Sequence, residues 1–401
     1  MKKYLVIIGD GMAGWPLKDY SNRTSLELAN IPNMDNMVQN GITGLVSNVP
    51  ANLPPGSDVA NLSVFGYDPQ TYYTGRAPIE AISQNIKMTE RDTIFRANLV
   101  YIDGEKTMSD FTSGHIDTKV AKILIEDLNN ELIKKYTGIN LYPGLSYRNL
   151  LLVKDLAFDI KTIPPHDITG KGIDDYLPSG DKSDLINNIM NDSVSFLANH
   201  ELNQSLKEAG KAYANSLWLW GQGTKMTLPS FKKLYNLEGA VVTAVDLVKG
   251  LGLAAGLDYI EVPGITGFID TNYSGKAEYA LNTLREKDIV FVHIEAPDEA
   301  GHMGDAKLKK EAIENIDKFV ISKILENAKD FDDLSVLILP DHETPIEIKT
   351  HSSRPVPFIM FNASKQVPSN SSAYSESEAK KTGVIIESGY QLLRKFIGEF
   401  E

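Results

Sequence analysis

Short apolar runs that end in acidic loops recur along the chain. Tyr4 to Ile8 is one, closed by Gly9-Asp10-Gly11. Ile289 to Ile294 is a second, followed by "EAPDEAGH", and Val336 to Leu339 is a third, followed by "PDHETP". Runs this short and this rich in Val and Ile predict strands buried on both faces of a parallel sheet. Between the second and third, "AKLKKEAIENIDKFVISKILENA" places Ile313, Ile316, Val320, Ile324 and Leu325 at helical spacing, with charged residues opposite. Strand, helix, strand is a βαβ unit, so an α/β domain with a mostly parallel sheet is expected. "GAVVTAVDLVKGLGLAAG" adds a further strand, Val241 to Val245, and a glycine-punctuated helix.

From Tyr72 to Tyr213 the pattern changes. Strand-like pieces ("RANLVYIDG", "RNLLLVKDL") alternate with turn clusters ("PPHDITGKG", "DYLPSGDKSD") and a helical stretch, "KVAKILIEDLNNELIKKY". This predicts an α+β insert. The first strand and the late strands would then share one sheet. The catalytic domain would be discontinuous, 1–72 with 225–401, and the inserted cap domain would span 73–224. A chain of 401 residues is long enough for two cores.

Composition narrows the class. A net charge of −13 argues against the basic face that nucleic acid requires. Positive charge for an anionic substrate must therefore be local, from a metal ion or a few placed Lys and Arg. The chain has no cysteine, which excludes disulfides, thiolate metal sites and cysteine nucleophiles. The first apolar run is too short for a signal-peptide core, and no apolar stretch reaches membrane-spanning length. A cytoplasmic protein without a membrane partner is expected.

Candidate chemistry sits at the strand ends, where open α/β sheets gather ligands. They supply Asp10, then Asp298 and His302, then Asp341 and His342, with His351 close behind. Asp298 and His302 are spaced for one face of a helical turn. Carboxylate and imidazole without thiolate suit Mn²⁺, Mg²⁺ or Zn²⁺, and three Asp with three His suit two centres. His293, in mid-strand, reads as a packed core residue. Ser57 follows Pro54-Pro55-Gly56 and either starts a helix, with its hydroxyl where phosphate binds, or is an ordinary cap.

Gly9 to Gly14 also spells G-x-G-x-x-G, the dinucleotide fingerprint. That reading needs a helix from Gly11 onward, which Pro16 disfavours, and a second strand with an acidic end. The later residues, "SLELANIPNMDNMVQNG", read instead as helix with Pro32 in its first turn. An Asp beside a pyrophosphate is unfavourable, whereas beside a divalent cation it is useful. The glycines are expected to leave room for a substrate phosphate.

With these residues in place, the chain resembles the alkaline phosphatase superfamily and, within it, the archaeal-type cofactor-independent phosphoglycerate mutases. The resembling segments include "IIGDGMAG", "PPGSDVANLSVFGYDP", "YYTGRAPIEA", "SGHIDT", "WLWGQGTK", "DTNYSGKAEYA", "HIEAPDEAGH" and "LPDHETP". The resemblance implies an alkaline-phosphatase-like core with an inserted cap. It implies two divalent ions, Mn²⁺ first, with Mg²⁺, Zn²⁺ or Co²⁺ as others. One would be held by Asp10, Ser57, Asp341 and His342, the other by Asp298, His302 and His351. Ser57 would carry the phosphoryl group between the hydroxyls of 3-phosphoglycerate and 2-phosphoglycerate. His115 in "SGHIDT" matches the family's substrate-contacting histidine. Arg148 and Lys276 are further candidates for substrate, and Arg76 lies near the expected hinge. The alternative to this mutase activity is a phosphomonoesterase, or a phosphotransferase to another small alcohol of the homoserine-kinase kind, built on the same metals and Ser57.

Overall fold

A computed structural model describes residues 2–155 and 159–399. The chain divides into two compact units, one formed by 1–73 with 227–401 and the other by 74–226.

The first unit is built on an eight-stranded sheet. Its strands in chain order are β1 (Lys2–Gly9), β2 (Ile42–Val46), β3 (Gly239–Val242), β4 (Asp258–Tyr259), β5 (Ile289–Ile294), β6 (Asp333–Leu339), β7 (Val356–Asn362) and β8 (Ile385–Ile386). Their order across the sheet is β4-β3-β5-β1-β6-β7-β2-β8. Every neighbouring pair is parallel except those involving β7, which runs against both β6 and β2. The three apolar runs are thus β5, β1 and β6, side by side at the centre. Leu5, Val6, Ile7 and Ile8 have no exposed surface, nor do Ile289 to Val292. Burying each such side chain is worth about 1.5–3 kcal/mol, which sets these strands at the centre of the core.

Register decides the chemistry. Ile8 pairs with His293 on one side and with Leu339 on the other. Asp10 and Asp341 each lie two residues beyond that paired level, so they leave the sheet at the same edge. The predicted strand at Val241–Val245 is shifted: β3 ends at Val242, because the Thr243 hydroxyl accepts the Val245 N–H and turns the chain into the next helix.

Four helices carry or support the site: α1 (Ser57–Val64), α2 (Tyr273–Leu284), α3 (Ala296–Met303) and α4 (Ala306–Ile316). The first turn of α3 contains Pro297, and the helix stops at Gly304, whose φ of +73° suits a residue without Cβ. Asp305 then caps α4 through the N–H groups of Lys307 and Leu308. Beyond Ile316 the helical path continues through a π-turn at Asp317–Ile321. Ile313, Ile316, Val320 and Ile324 face inward along it as the periodicity requires.

The second unit is α+β. Its central strand, Thr93–Ile102, pairs antiparallel with Arg148–Val153 and with Ser216–Thr224, and Ile139–Tyr142 extends the sheet. One face packs Leu99, Leu151 and Trp218 against Leu124 and Ile189 of the helices Thr118–Asp127 and Ser183–Asn199. The other face packs Ile94, Leu150 and Leu152 against Ala77 and Ala81 of Arg76–Ser83. Among the described residues, no helix is long and apolar enough to cross a membrane.

Candidate active site

The carboxyl ends of β1, β5 and β6 bring Asp10, Asp298 and Asp341 together with almost no exposed surface. Asp10 Oδ2 lies 2.9 Å from His293 Nε2. Burial pushes His293 down to about 3, so its ring is neutral. The Thr243 hydroxyl accepts from Val245 N and lies 3.2 Å from His293 Nδ1. An ionised Asp10 accepts the single proton of the neutral ring on Nε2, which leaves Nδ1 to accept from the Thr243 hydroxyl. The other Asp10 oxygen, Oδ1, is buried and has no hydrogen-bond partner among the described residues. Burial raises the Asp10 carboxyl well above its ordinary value, and the neighbouring charges of Asp341, Asp298 and Glu295 push the same way.

Asp341 is held on both oxygens. Gly11 N and His342 N donate to Oδ1 at 3.2 and 2.9 Å, and Asn61 Nδ2 donates to Oδ2 at 2.7 Å. Asn61 also donates to Ser57 O, so one turn of α1 ties the Asp341 carboxylate to the helix start. Ser57 is the first residue of α1, and the cap position belongs to Gly56. The Ser57 hydroxyl is therefore not spent on capping; its Oγ lies 3.1 Å from His342 Nε2. That nitrogen is 3.6 Å from Asp10 Oδ1 and 3.4 Å from Asp341 Oδ2. Burial, then the neighbouring His351, keeps His342 well below its ordinary range and hence neutral.

Asp298 sits in the first turn of α3, with His302 one turn on. His302 Nε2 is 3.1 Å from Asp298 Oδ2, and His351 Nε2 is 3.6 Å from Oδ1. Thr344 Oγ1 donates to the same Oδ1. Burial opposes ionisation of Asp298, but the hydrogen bonds from His302 and His351 prevail and hold it well below its ordinary value. Conversely, burial works against His302, yet Asp298 lifts it to about 9. His302 Nδ1 donates to Lys349 O at 2.9 Å, which orients Nε2 inward, the way a backbone carbonyl fixes a ligating imidazole.

Among the described residues, three sets of side chains could each hold a metal ion: Asp10, Asp341 and His342; Asp298, His342 and His351; Asp10, Glu295 and Asp298. His342 belongs to the first two, so it stands between the Asp10–Asp341 pair and the Asp298–His351 pair. Concentrated buried carboxylate is unfavourable unless positive charge compensates it. The unpartnered Asp10 Oδ1, the neutral His342 and the inward Nε2 of His302 make an oxygen and nitrogen donor set that fits divalent cations.

The glycines of the first loop serve this packing. Gly11 has φ +61°, and a Cβ there would lie 2.5 Å from Thr344 Oγ1 and 2.7 Å from Asp298 Oδ1. The space beside Gly11 is thus filled by Asp298 and Thr344, and is not the open berth for phosphate that the sequence suggested. No helix follows Gly11, and Met12 instead forms a bridge with Glu343. A dinucleotide cradle is excluded.

The expected substrate contacts fall differently. His115 and Arg148 are exposed in the second unit, where both flank Tyr147: its ring centre is 6.2 Å from that of His115 and 5.3 Å from the Arg148 guanidinium. His115 has φ +52°, in a tight loop held by Asp110 through the Thr112 and Gly114 N–H groups. Arg76 is near Glu80, which also pairs with the buried Arg96. Lys276, by contrast, is enclosed in α2 at 1% exposure, and its ammonium donates to His293 O at 2.7 Å. It ties down the end of β5 and is not an open cation. Burial pushes it down to about 8.

Sequence reasoning passed over Asn61, Glu295, Thr344 and Lys309. Only Asn61 carried a signal, four residues past Ser57 on one helix face.

Comparison with known proteins agrees with this architecture. The model of the family described as 2,3-bisphosphoglycerate-independent phosphoglycerate mutase matches residues 38–203. A curated protein of that name from Methanosarcina acetivorans is 46% identical over 94% of this chain and 95% of its own. Another, from Methanothrix thermoacetophila, is 45% identical over 98% and 99%. A solved structure of a Pyrococcus horikoshii protein superimposes with TM-score 0.82 at 28% identity, covering 99% of this chain and 96% of its own. The cofactor-independent phosphoglycerate mutase from Thermoplasma acidophilum shares the fold, with TM-score 0.66 at 23% identity over the full length of both chains. By this identity over nearly its whole length, the chain belongs to the 2,3-bisphosphoglycerate-independent phosphoglycerate mutase family.

Proposed function

We propose that this chain is an isomerase that interconverts 3-phosphoglycerate and 2-phosphoglycerate through a phosphoserine at Ser57. The observation that carries this reading is the placing of Ser57 Oγ at the start of α1, 3.1 Å from His342 Nε2 and among the buried carboxylates. In this reading Asp10, Ser57, Asp341 and His342 hold one divalent cation and Asp298, His302 and His351 hold the other, with Mn²⁺ the expected metal. When bound, the cations supply the positive charge that draws in the phosphate and lowers the pKa of the attacking hydroxyl.

The residues then do the following. Ser57 Oγ gives up its proton and forms a bond to phosphorus as the bond from phosphorus to the C3 oxygen breaks, and that oxygen takes up a proton. The freed glycerate turns, and its C2 hydroxyl attacks the phosphoserine, losing its proton as the bond from phosphorus to Ser57 Oγ breaks and Ser57 Oγ takes a proton back. Asn61 holds Asp341 to the Ser57 turn, and His293 holds Asp10. The helix start at Ser57 favours the phosphate charge. His115 and Arg148 bind the anionic groups of the substrate. Water must be kept from the phosphoserine, since its attack would release free phosphate.

The test is an assay of 3-phosphoglycerate with Mn²⁺-loaded protein, following 2-phosphoglycerate and free phosphate together. Accumulation of 2-phosphoglycerate without phosphate is expected. Phosphate alone would establish a phosphomonoesterase instead.

A further inference from the structure

Lys309 reads in the sequence as one of several lysines on the polar face of a helix, beside Lys307 and Lys310. In the fold it has no exposed surface. Its Nζ donates to Ala13 O at 2.9 Å and to Thr344 O at 2.7 Å. Ala13 lies three residues past Asp10, and Thr344 two residues past His342. Lys309 itself belongs to α4, which starts just after the helix that carries Asp298 and His302. One ammonium therefore joins the segments that follow β1, β5 and β6.

The connections continue toward the ligand groups. Ala13 O also accepts from Thr344 N at 3.2 Å, so the two loops are bonded to each other as well as to the lysine. Thr344 is held by its carbonyl and donates its hydroxyl to Asp298 Oδ1. A path thus runs from Lys309 through Thr344 to Asp298, and another through Ala13 to the Asp10 loop. An apolar side chain of the same length would fill the volume but leave the Thr344 carbonyl without its donor, a loss the fold would feel. A lysine is costly to bury; here the charges of Asp298, Glu376, Glu343 and Glu347 offset part of that cost. A compact ammonium with three donors can serve two carbonyls at once, which Met or Leu cannot.

We infer that Lys309 is a positioning residue: it fixes the separation between the Asp10–Asp341–His342 group and the Asp298–His302–His351 group, and with it the spacing of the two cations. The inference rests on the two-cation reading given above.

The experiment compares wild type with Lys309→Met by Mn²⁺ titration calorimetry, by low-temperature electron paramagnetic resonance of the Mn²⁺-loaded protein, and by steady-state kinetics. Wild type should bind two Mn²⁺ and show a spin-coupled pair. Lys309→Met should show an altered coupling and bind the second Mn²⁺ at least tenfold more weakly. Its kcat should fall at least tenfold, with KM changed less than threefold. Because the chain has no cysteine, Lys309→Cys can be unfolded, aminoethylated with 2-bromoethylamine and refolded, restoring an ammonium at this position alone. That protein should regain the wild-type coupling and at least half of kcat, measured against wild type refolded in parallel. An unchanged resonance signal in Lys309→Met overturns the inference, even if its melting temperature drops. So does failure of every neutral variant to fold, which would make Lys309 a residue of the fold alone. If wild type itself binds no Mn²⁺, the two-cation reading falls first, and that result is distinct from both.

Discussion

His302 and His351 face one another with their Nε2 atoms 3.0 Å apart, and both point at the Asp298 carboxylate. Asp298 favours a proton on His302 Nε2, the position that a cation beside that carboxylate would take over. The Nδ1 proton of His302 is given to Lys349 O, so Nε2 is the atom that would face the cation. We expect His351→Ala and His302→Ala each to lose one of two Mn²⁺ equivalents while the other remains. Activity should fall by about a hundredfold or more, the order seen when metal ligation is disturbed. Elemental analysis after gel filtration reads the stoichiometry directly, and two Mn²⁺ retained in either variant would remove these histidines from the site.

Ser57 and His342 are the second pair to probe. With Gly56 at the cap, Ser57→Ala costs the helix little, so lost activity can be read as lost chemistry. Removal of the nucleophile should lower kcat by roughly a thousandfold or more and abolish any phosphoenzyme. Intact-protein mass spectrometry of substrate-quenched enzyme should find phosphate on wild type and none on Ser57→Ala. A phosphorylated Ser57→Ala protein would place the nucleophile elsewhere.

The sheet was legible because its signal is local. Tyr4–Ile8, Ile289–Ile294 and Val336–Leu339 are apolar runs with no helical option, and they lie adjacent and parallel in the fold. The antiparallel β7 was not legible, since direction in a sheet is settled by pairing and leaves no mark on a fully buried strand. In the site, residues of strong chemical type at strand ends could be picked out, and the structure brings Asp10, Ser57, Asp298, His302, Asp341, His342 and His351 together. Lys276 misled because a lysine gives no sign in sequence of whether its head reaches water or a carbonyl. Lys309 and Glu376 were invisible for the same reason: their partners lie far away along the chain.

Gly11 carries a third prediction. Its φ is positive, and a methyl group on its Cα would stand within 2.7 Å of two side-chain oxygens, which leaves no room for alanine. Backbone strain of this kind costs roughly 1–3 kcal/mol, and here relief would have to come from moving Asp298 or Thr344. Gly11→Ala should therefore weaken Mn²⁺ binding beyond its effect on stability, with titration calorimetry and urea unfolding measured on the same protein. Gly170→Ala serves as the control, since it too has positive φ but nothing within 4 Å. Equal effects of the two substitutions on Mn²⁺ affinity would show that strain alone, and not the approach of Asp298, explains Gly11.

Glu376 gives a prediction in pH. Its carboxylate turns inward, accepting from Gly14 N at 3.0 Å and from Thr24 Oγ1 at 2.6 Å, with Lys309 as the nearby cation. Burial raises it to about 7, while those hydrogen bonds and Lys309 pull the other way. The folded state therefore keeps a proton that the unfolded chain gives up near the ordinary glutamate value. Below that value both states are protonated and the stabilisation is fully present. As pH rises toward 7 the unfolded chain releases its proton first, and stability falls by up to about 1.4 kcal/mol per pH unit. Above 7 both states are ionised and the loss levels off, at a total on the order of 3 kcal/mol. Glu376→Gln cannot ionise, so it should match wild type near pH 4.5 and exceed it near pH 7.5. Part of that gain is returned because Lys309, itself pushed down to about 8 by burial, loses a supporting charge. Urea unfolding of both proteins in EDTA across this range measures the difference without metal linkage. A difference that stays flat with pH would mean that Glu376 is already ionised in the fold.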